Sequence, residues 1–195
     1  LLSEAATTEH PTNTGISHNK LAMWVFLGSE CLLFGALIST YLLYRNEFHT
    51  GPAPGDVFDI PFTSVSSFVL LMSSLTMVLA LSALKRGDIR NNRLWLLTTA
   101  LLGALFIGGQ VYEFTSFVRE GLGFTTSPFS SAFFTLTGFH GIHVSLGIVM
   151  LMSLLISSLR GNLKEKNSET VEIVGLYWHF VDVVWFFVVS QIYFW

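Results

Sequence analysis

Six ionisable side chains stand inside long apolar stretches of this sequence: Glu30, Glu113, His140, His143, His179 and Asp182. A charged side chain at the centre of a membrane-spanning helix costs about 2.5–3.5 kcal/mol on insertion scales, so such groups face a bundle interior, pair with one another or line a pathway. Glu30 comes ten residues after Lys20. That is about 15 Å along a helix axis, close to a bilayer midplane. No Lys or Arg lies within a helical turn of it. Desolvation disfavours a lone carboxylate at that depth, which calls for a neutral acid or a partner on another helix. Glu30 is therefore read either as an interhelical packing group or as a protonatable group that influences proton traffic or a bound partner.

His140 and His143 form a His-x-x-His pair, and His179 and Asp182 repeat the spacing. Residues three apart share one helix face, a geometry that metals use. A di-iron bundle, however, draws on several Glu together with Glu-x-x-His pairs, and these are missing. The histidines are read as hydrogen-bonded packing groups, with no metal held by this chain. Asp182 is expected to accept from a partner in the bundle, His143 or His179. The single cysteine, Cys31, lies in an apolar run and reads as a small buried hydrophobe. Without a Cys-x-x-Cys motif, thiolate zinc and redox sites are not expected.

The elements that must position these groups are long apolar segments. The chain has 195 residues, 51% hydrophobic and only 12% charged, against about 25% charge in soluble domains. That composition excludes a water-soluble globule and a disordered tail. A net charge of −3 gives no basic footprint for nucleic acid. Apolar segments at about 21–44, 62–84, 94–117, 130–157 and 172–194 follow a polar tail over 1–20. About 20 residues suffice to cross a bilayer core, and in lipid the backbone must satisfy its own hydrogen bonds, so these are five transmembrane helices of one domain. The tail lacks the apolar core of a signal peptide. Lys20, the 85–93 loop and the 158–171 loop share one side with eight Lys and Arg, while Arg45 and Arg119 are on the other. The positive-inside rule then places the N-terminus in the cytoplasm and the C-terminus outside. Trp24, Trp95 and Trp195 fall near span ends, where an aromatic belt sits.

Small and hydroxyl residues add detail. Gly138, Gly141 and Ser145 thin one side of the fourth span, an expected site of close helix approach. Ser66, Ser67, Ser73, Ser74 and Thr76 give the second span hydroxyls that can bond back to their helix or across it. The aromatic-rich fifth span reads as bundle filler or partner surface.

Several strings resemble a known family. Tyr177-Trp178-His179-Phe180-Val181-Asp182-Val183-Val184-Trp185 and Thr137-Gly138-Phe139-His140-Gly141-Ile142-His143-Val144 are similar to signatures of subunit III of the haem-copper terminal oxidases. Ser29-Glu30 with Phe34, and Gln110-Val111-Tyr112-Glu113, match in the same order. The resemblance covers residues 20–195. It implies an accessory subunit of a proton-pumping respiratory oxidase that reduces dioxygen to water, in a bacterial plasma membrane. Haem and copper then belong to subunits I and II, and none to this chain. The direct partner is subunit I, with subunit II and other subunits in the complex. Cytochrome c or a quinol delivers electrons at other subunits. The family role is support of proton uptake, durability, and lipid and oxygen access at subunit I. Glu30 matches the family's carbodiimide-reactive carboxylate, and Arg160 falls where the family has a basic residue near a phospholipid headgroup. Many members have seven spans, and this chain resembles the shorter bacterial type with five, so one wall of the family's lipid cleft is missing. Two other classes are weighed against this. A stand-alone membrane metalloenzyme would use the three histidines, and a proton-coupled transporter would use Glu30, although broken or repeated helices are absent apart from Gly108-Gly109.

Overall fold

The computed structural model describes residues 17–46 and 59–193; the polar tail over 1–16, the Gly-Pro-rich turn within 47–58, and Trp195 lie outside the described residues. Among the described residues there are five long helices: α1 (His18–Tyr44), α2 (Ile60–Lys85), α3 (Ile89–Arg119), α4 (Pro128–Leu159) and α5 (Ser168–Tyr193), with one turn of 3-10 helix at Glu165–Asn167 leading into α5. All five are long and apolar enough to cross a membrane. Each begins outside its apolar segment, because polar residues start it. Ser17, Asp59, Asp88 and Ser127 accept from the backbone N–H three residues on, at 3.1–3.3 Å. These caps satisfy donors that a helix N-terminus leaves open. Pro61 and Pro128 occupy first-turn positions, where a missing N–H costs nothing. Gly87, Gly121 and Gly161 follow the ends of α2, α3 and α4 with φ of 75°, 93° and 75°, the left-handed stop that glycine adopts most readily.

The helices alternate in direction, so sequential neighbours α2–α3 and α3–α4 pack side by side. Helix α5 lies against α1, α2 and α4, and α1 touches the bundle mainly through α4 and α5. The centre is Trp178, fully buried on α5. Its indole fits where α3 and α4 each present a glycine. A Cβ on Gly103 would lie 2.6 Å from Cη2, and one on Gly147 would lie 2.7 Å from Cε3 and Cζ3. The indole N–H donates across the bundle to Ser73 on α2 at 3.0 Å. A second indole, Trp185, donates to Ser67 at 2.9 Å, and Thr76 meets Thr99 of α3 at 2.8 Å. The hydroxyl stripe of α2 is thus the acceptor rail on which α5 sits. The close approach expected at Gly138 and Gly141 does not occur within this chain. A Cβ on Gly138 would have nothing within 4 Å, and one on Gly141 would meet only Ile107 at 4.0 Å. The close-packing glycines are Gly103 and Gly147, where a large ring on a third helix needs the room.

Candidate functional site

Glu30 and His143 meet between α1 and α4. Glu30 Oε2 lies 3.0 Å from His143 Nε2, and both side chains are nearly buried. The other ring nitrogen, Nδ1, is 2.7 Å from the Phe139 carbonyl. A carbonyl only accepts, so Nδ1 carries a hydrogen. Nε2 then either accepts from a carboxylic acid or, as imidazolium, donates to a carboxylate. In both forms the pair holds one transferable proton and no net charge. Burying a neutral pair avoids the cost of an isolated ion in low dielectric. The His143 backbone is fixed in turn, because Tyr177 donates to its carbonyl at 3.0 Å.

His140 is one turn away and fully buried, with neither ring nitrogen hydrogen-bonded. Its ring stacks on Trp185 at 4.7 Å and 24°. Phe106 closes it edge-on at 5.9 Å, and Phe34 lies between it and His143, 6.5 Å and 5.0 Å from the two rings. An imidazole so enclosed acts as an aromatic filler.

The remaining candidates form separate sites. Glu113 is buried near the far end of α3, where Thr63 of α2 donates to Oε1 at 2.6 Å and Gln110 donates to Oε2 at 2.9 Å. His179 Nδ1 lies 2.5 Å from the Ser74 hydroxyl on α2. The expected pairing of Asp182 with His143 or His179 is not formed. His143 is engaged by Glu30, and His179 is turned toward α2. Among the described residues both oxygens of Asp182 are shielded without a hydrogen-bond partner, with Ser74 as a neighbour whose hydroxyl is taken up by His179. Beside Asp182, Phe68, Leu71 and Phe186 help line a pocket of about 150 Å³ between α2 and α5. Arg160 is exposed and caps the end of α4. Cys31 is exposed on α1, not buried as its apolar run suggested, because α1 shows one flank to the bundle and the opposite flank outward.

The three histidines do not converge. His143 has both nitrogens engaged, His140 is walled in by rings, and His179 turns to Ser74. Among the described residues no group of three or more His, Cys, Asp or Glu is placed to hold a metal ion. Several partners had no recognisable signal in the chain. Thr63 and Glu113 are fifty residues apart, and Arg93 reaches Ser158 from sixty-five away. Asn92, fully buried, donates to the Ala80 carbonyl at 2.8 Å; its signal was a polar residue just inside an apolar helix.

Five apolar helices whose buried polar groups bond mainly across helix pairs define a polytopic helical membrane protein. The family model for cytochrome c oxidase subunit III matches residues 1–195, and the chain belongs to that family. It is 42% identical to cytochrome c oxidase subunit 3 of Bacillus sp. (strain PS3), over 89% of this chain and 84% of that one. It is 38% identical to quinol oxidase subunit 3 of Bacillus subtilis (strain 168), over 96% and 92%. A probable quinol oxidase subunit 3 of Staphylococcus aureus (strain USA300) is 39% identical, over 94% and 95%. The chain is thus a multi-pass bacterial membrane protein, subunit III of the haem-copper oxidase family, whose members are subunits of a terminal oxidase complex.

Proposed function

We propose that this chain is an accessory helical subunit that packs directly on the catalytic subunit I of an oxidase reducing dioxygen to water. Haem and copper reside in partner subunits, and electrons enter there from cytochrome c or a quinol. The relatives carry both names, and this chain has no feature that selects between the donors. The excess of Lys and Arg at the shared end of α2, α3 and α4 supports an N-terminus in the cytoplasm. Arg160 is the residue that meets a phospholipid headgroup in this reading, and its exposure at that end supports it.

The Glu30–His143 contact carries the mechanistic part of the reading. A neutral acid–imidazole pair at bilayer depth stores one proton without a net buried charge, and α1 presents it on the loosely packed side of the bundle. Its role is to steady proton uptake next door, so its loss affects coupling and durability before it affects chemistry. The test is the assembled oxidase with Glu30→Gln and with Glu30→Ala. Both variants are expected to assemble and to start at near-normal oxygen consumption. Both are expected to show a modestly lower proton-to-electron ratio or fewer turnovers before inactivation. Complete loss of oxygen reduction in an assembled complex would overturn this role. A redox-active metal on the purified chain would instead favour a metalloenzyme.

A further inference from the structure

Glu30 is flanked on its own helix by two aromatic residues, Phe26 four residues before it and Phe34 four residues after. That spacing puts all three on one face of α1. Both rings lead to His143, by different routes. Phe34 meets the imidazole itself, edge-on, with centroids 5.0 Å apart. Phe26 stacks on Tyr177 of α5, with centroids 6.3 Å apart and planes at 22°. The Tyr177 hydroxyl in turn donates to the His143 carbonyl at 3.0 Å. Tyr177 therefore touches the helix of the acid and is bonded to the helix of the imidazole, while belonging to neither.

The place of Tyr177 is set by the core. It is 3% exposed and adjoins Trp178, the indole pinned by Gly103, Gly147 and Ser73. The two rings straddle one glycine. A Cβ on Gly147 would stand 2.7 Å from the Trp178 ring and 3.4 Å from Cε1 of Tyr177. In a helix the amide of residue 147 bonds the carbonyl of residue 143, so the bare Gly147 lies beside the carbonyl that Tyr177 reaches. That oxygen has two lone pairs, one for the helix and one for the phenol. The phenol hydrogen is thereby committed, so Tyr177 hands no proton to Glu30. What it governs is geometry. A hydrogen bond weakens steeply with misalignment, and the 3.0 Å Glu30–His143 contact spans two helices whose relative height must be held.

We infer that Tyr177 is a positioning residue for the Glu30–His143 pair, holding α4 through the His143 carbonyl and α1 through Phe26. Proton sharing at the pair is thereby tied to the packed core around Trp178. The inference rests on the proton-holding role proposed for that pair. The test is infrared spectroscopy of the purified oxidase complex, with the Glu30 carboxyl signal isolated in each background by subtracting the Glu30→Gln spectrum. Tyr177→Phe keeps the ring and removes only the hydroxyl. It should raise the ratio of unpaired to paired Glu30 signal about two- to tenfold, the worth of one intramolecular hydrogen bond. The proton-to-electron ratio should fall with it. A Glu30 signal unchanged in Tyr177→Phe, with or without a lower dissociation temperature, would make Tyr177 a purely structural residue and overturn the inference. Should Tyr177→Phe not assemble, Phe26→Leu, at a ring 43% exposed, reads the same signal from the α1 side, and no change there overturns it equally. The two failures are separable. Normal coupling and durability in Glu30→Gln would remove the role of the pair, whereas a Tyr177→Phe complex with an unmoved Glu30 signal removes only the positioning.

Discussion

Asp182 is the buried acid that the bundle leaves without a hydrogen bond, and this sets the sign of a substitution. Removing one partner of a buried bond strands the other, whereas removing a group that has no partner strands nothing. The pocket of about 150 Å³ beside it gives room for extra methyl groups. Asp182→Leu is therefore expected to leave the yield and thermal stability of the complex unchanged or raised, and a lower melting temperature would show that Asp182 is satisfied in the assembled state. Glu113 predicts the opposite. Glu113→Ala takes away the acceptor of the buried Gln110 amide and one of the two acceptors of the Thr63 hydroxyl, which keeps the Asp59 carbonyl, and is expected to destabilise by about 1–3 kcal/mol, read as a lower temperature at which the subunit dissociates. At this scale the intramembrane acids and imidazoles are legible in the chain, because their cost in lipid marks them. Their pairing is not. Spacing along a helix says which face a residue shares, not which helix faces it, so charge and depth alone point Asp182 to histidines that other helices engage.

Helices were the most legible level. Apolar runs longer than a bilayer needs, ended by Lys-Arg-Gly-Asp and similar strings, mark all five. The caps at Asp59, Asp88 and Ser127 then lengthen each helix beyond its apolar part. Glycine roles were less legible, since a glycine against a neighbour and a glycine facing a groove look alike in a chain. The contact at Trp178 separates them. Gly147→Val forces a side chain to within 2.7 Å of the indole and is expected to cost about 1–3 kcal/mol through overpacking. Trp178→Phe should recover part of that loss, so the double variant is less than additive in a thermal-dissociation cycle. Strictly additive losses in the double variant would place the strain elsewhere.

Taken whole, the molecule is a four-helix core, α2 to α5, with α1 fastened to one flank. The fastening is a short series of bonds: Ser17 to Glu169 and Lys20 to Glu172 at one end, Glu30 to His143 in the middle, and Tyr41 against Phe129 at the other end, with ring centroids 5.9 Å apart. The Lys20–Glu172 pair, 2.5 Å apart, is about a third exposed, and such pairs contribute about 1 kcal/mol or less and are screened by salt. Amide exchange in α1 is therefore expected to be the fastest of the five helices and to rise with ionic strength. Lys20→Ala should abolish that salt dependence, and salt-independent exchange in the unmodified protein would remove the pair from the account. This asymmetry could not be read from the chain, because the segment of α1 is as apolar as that of its neighbours.

The indole of Trp178 also bears on biosynthesis. Translation delivers α3 and α4 before α5, so the recess formed by Gly103 and Gly147 is complete, and vacant, while the last helix is still being made. Insertion of that plug then locks α3 and α4 against α2. A nascent chain arrested just after Arg160 should accordingly remain far more protease-sensitive than one released with its final helix in place.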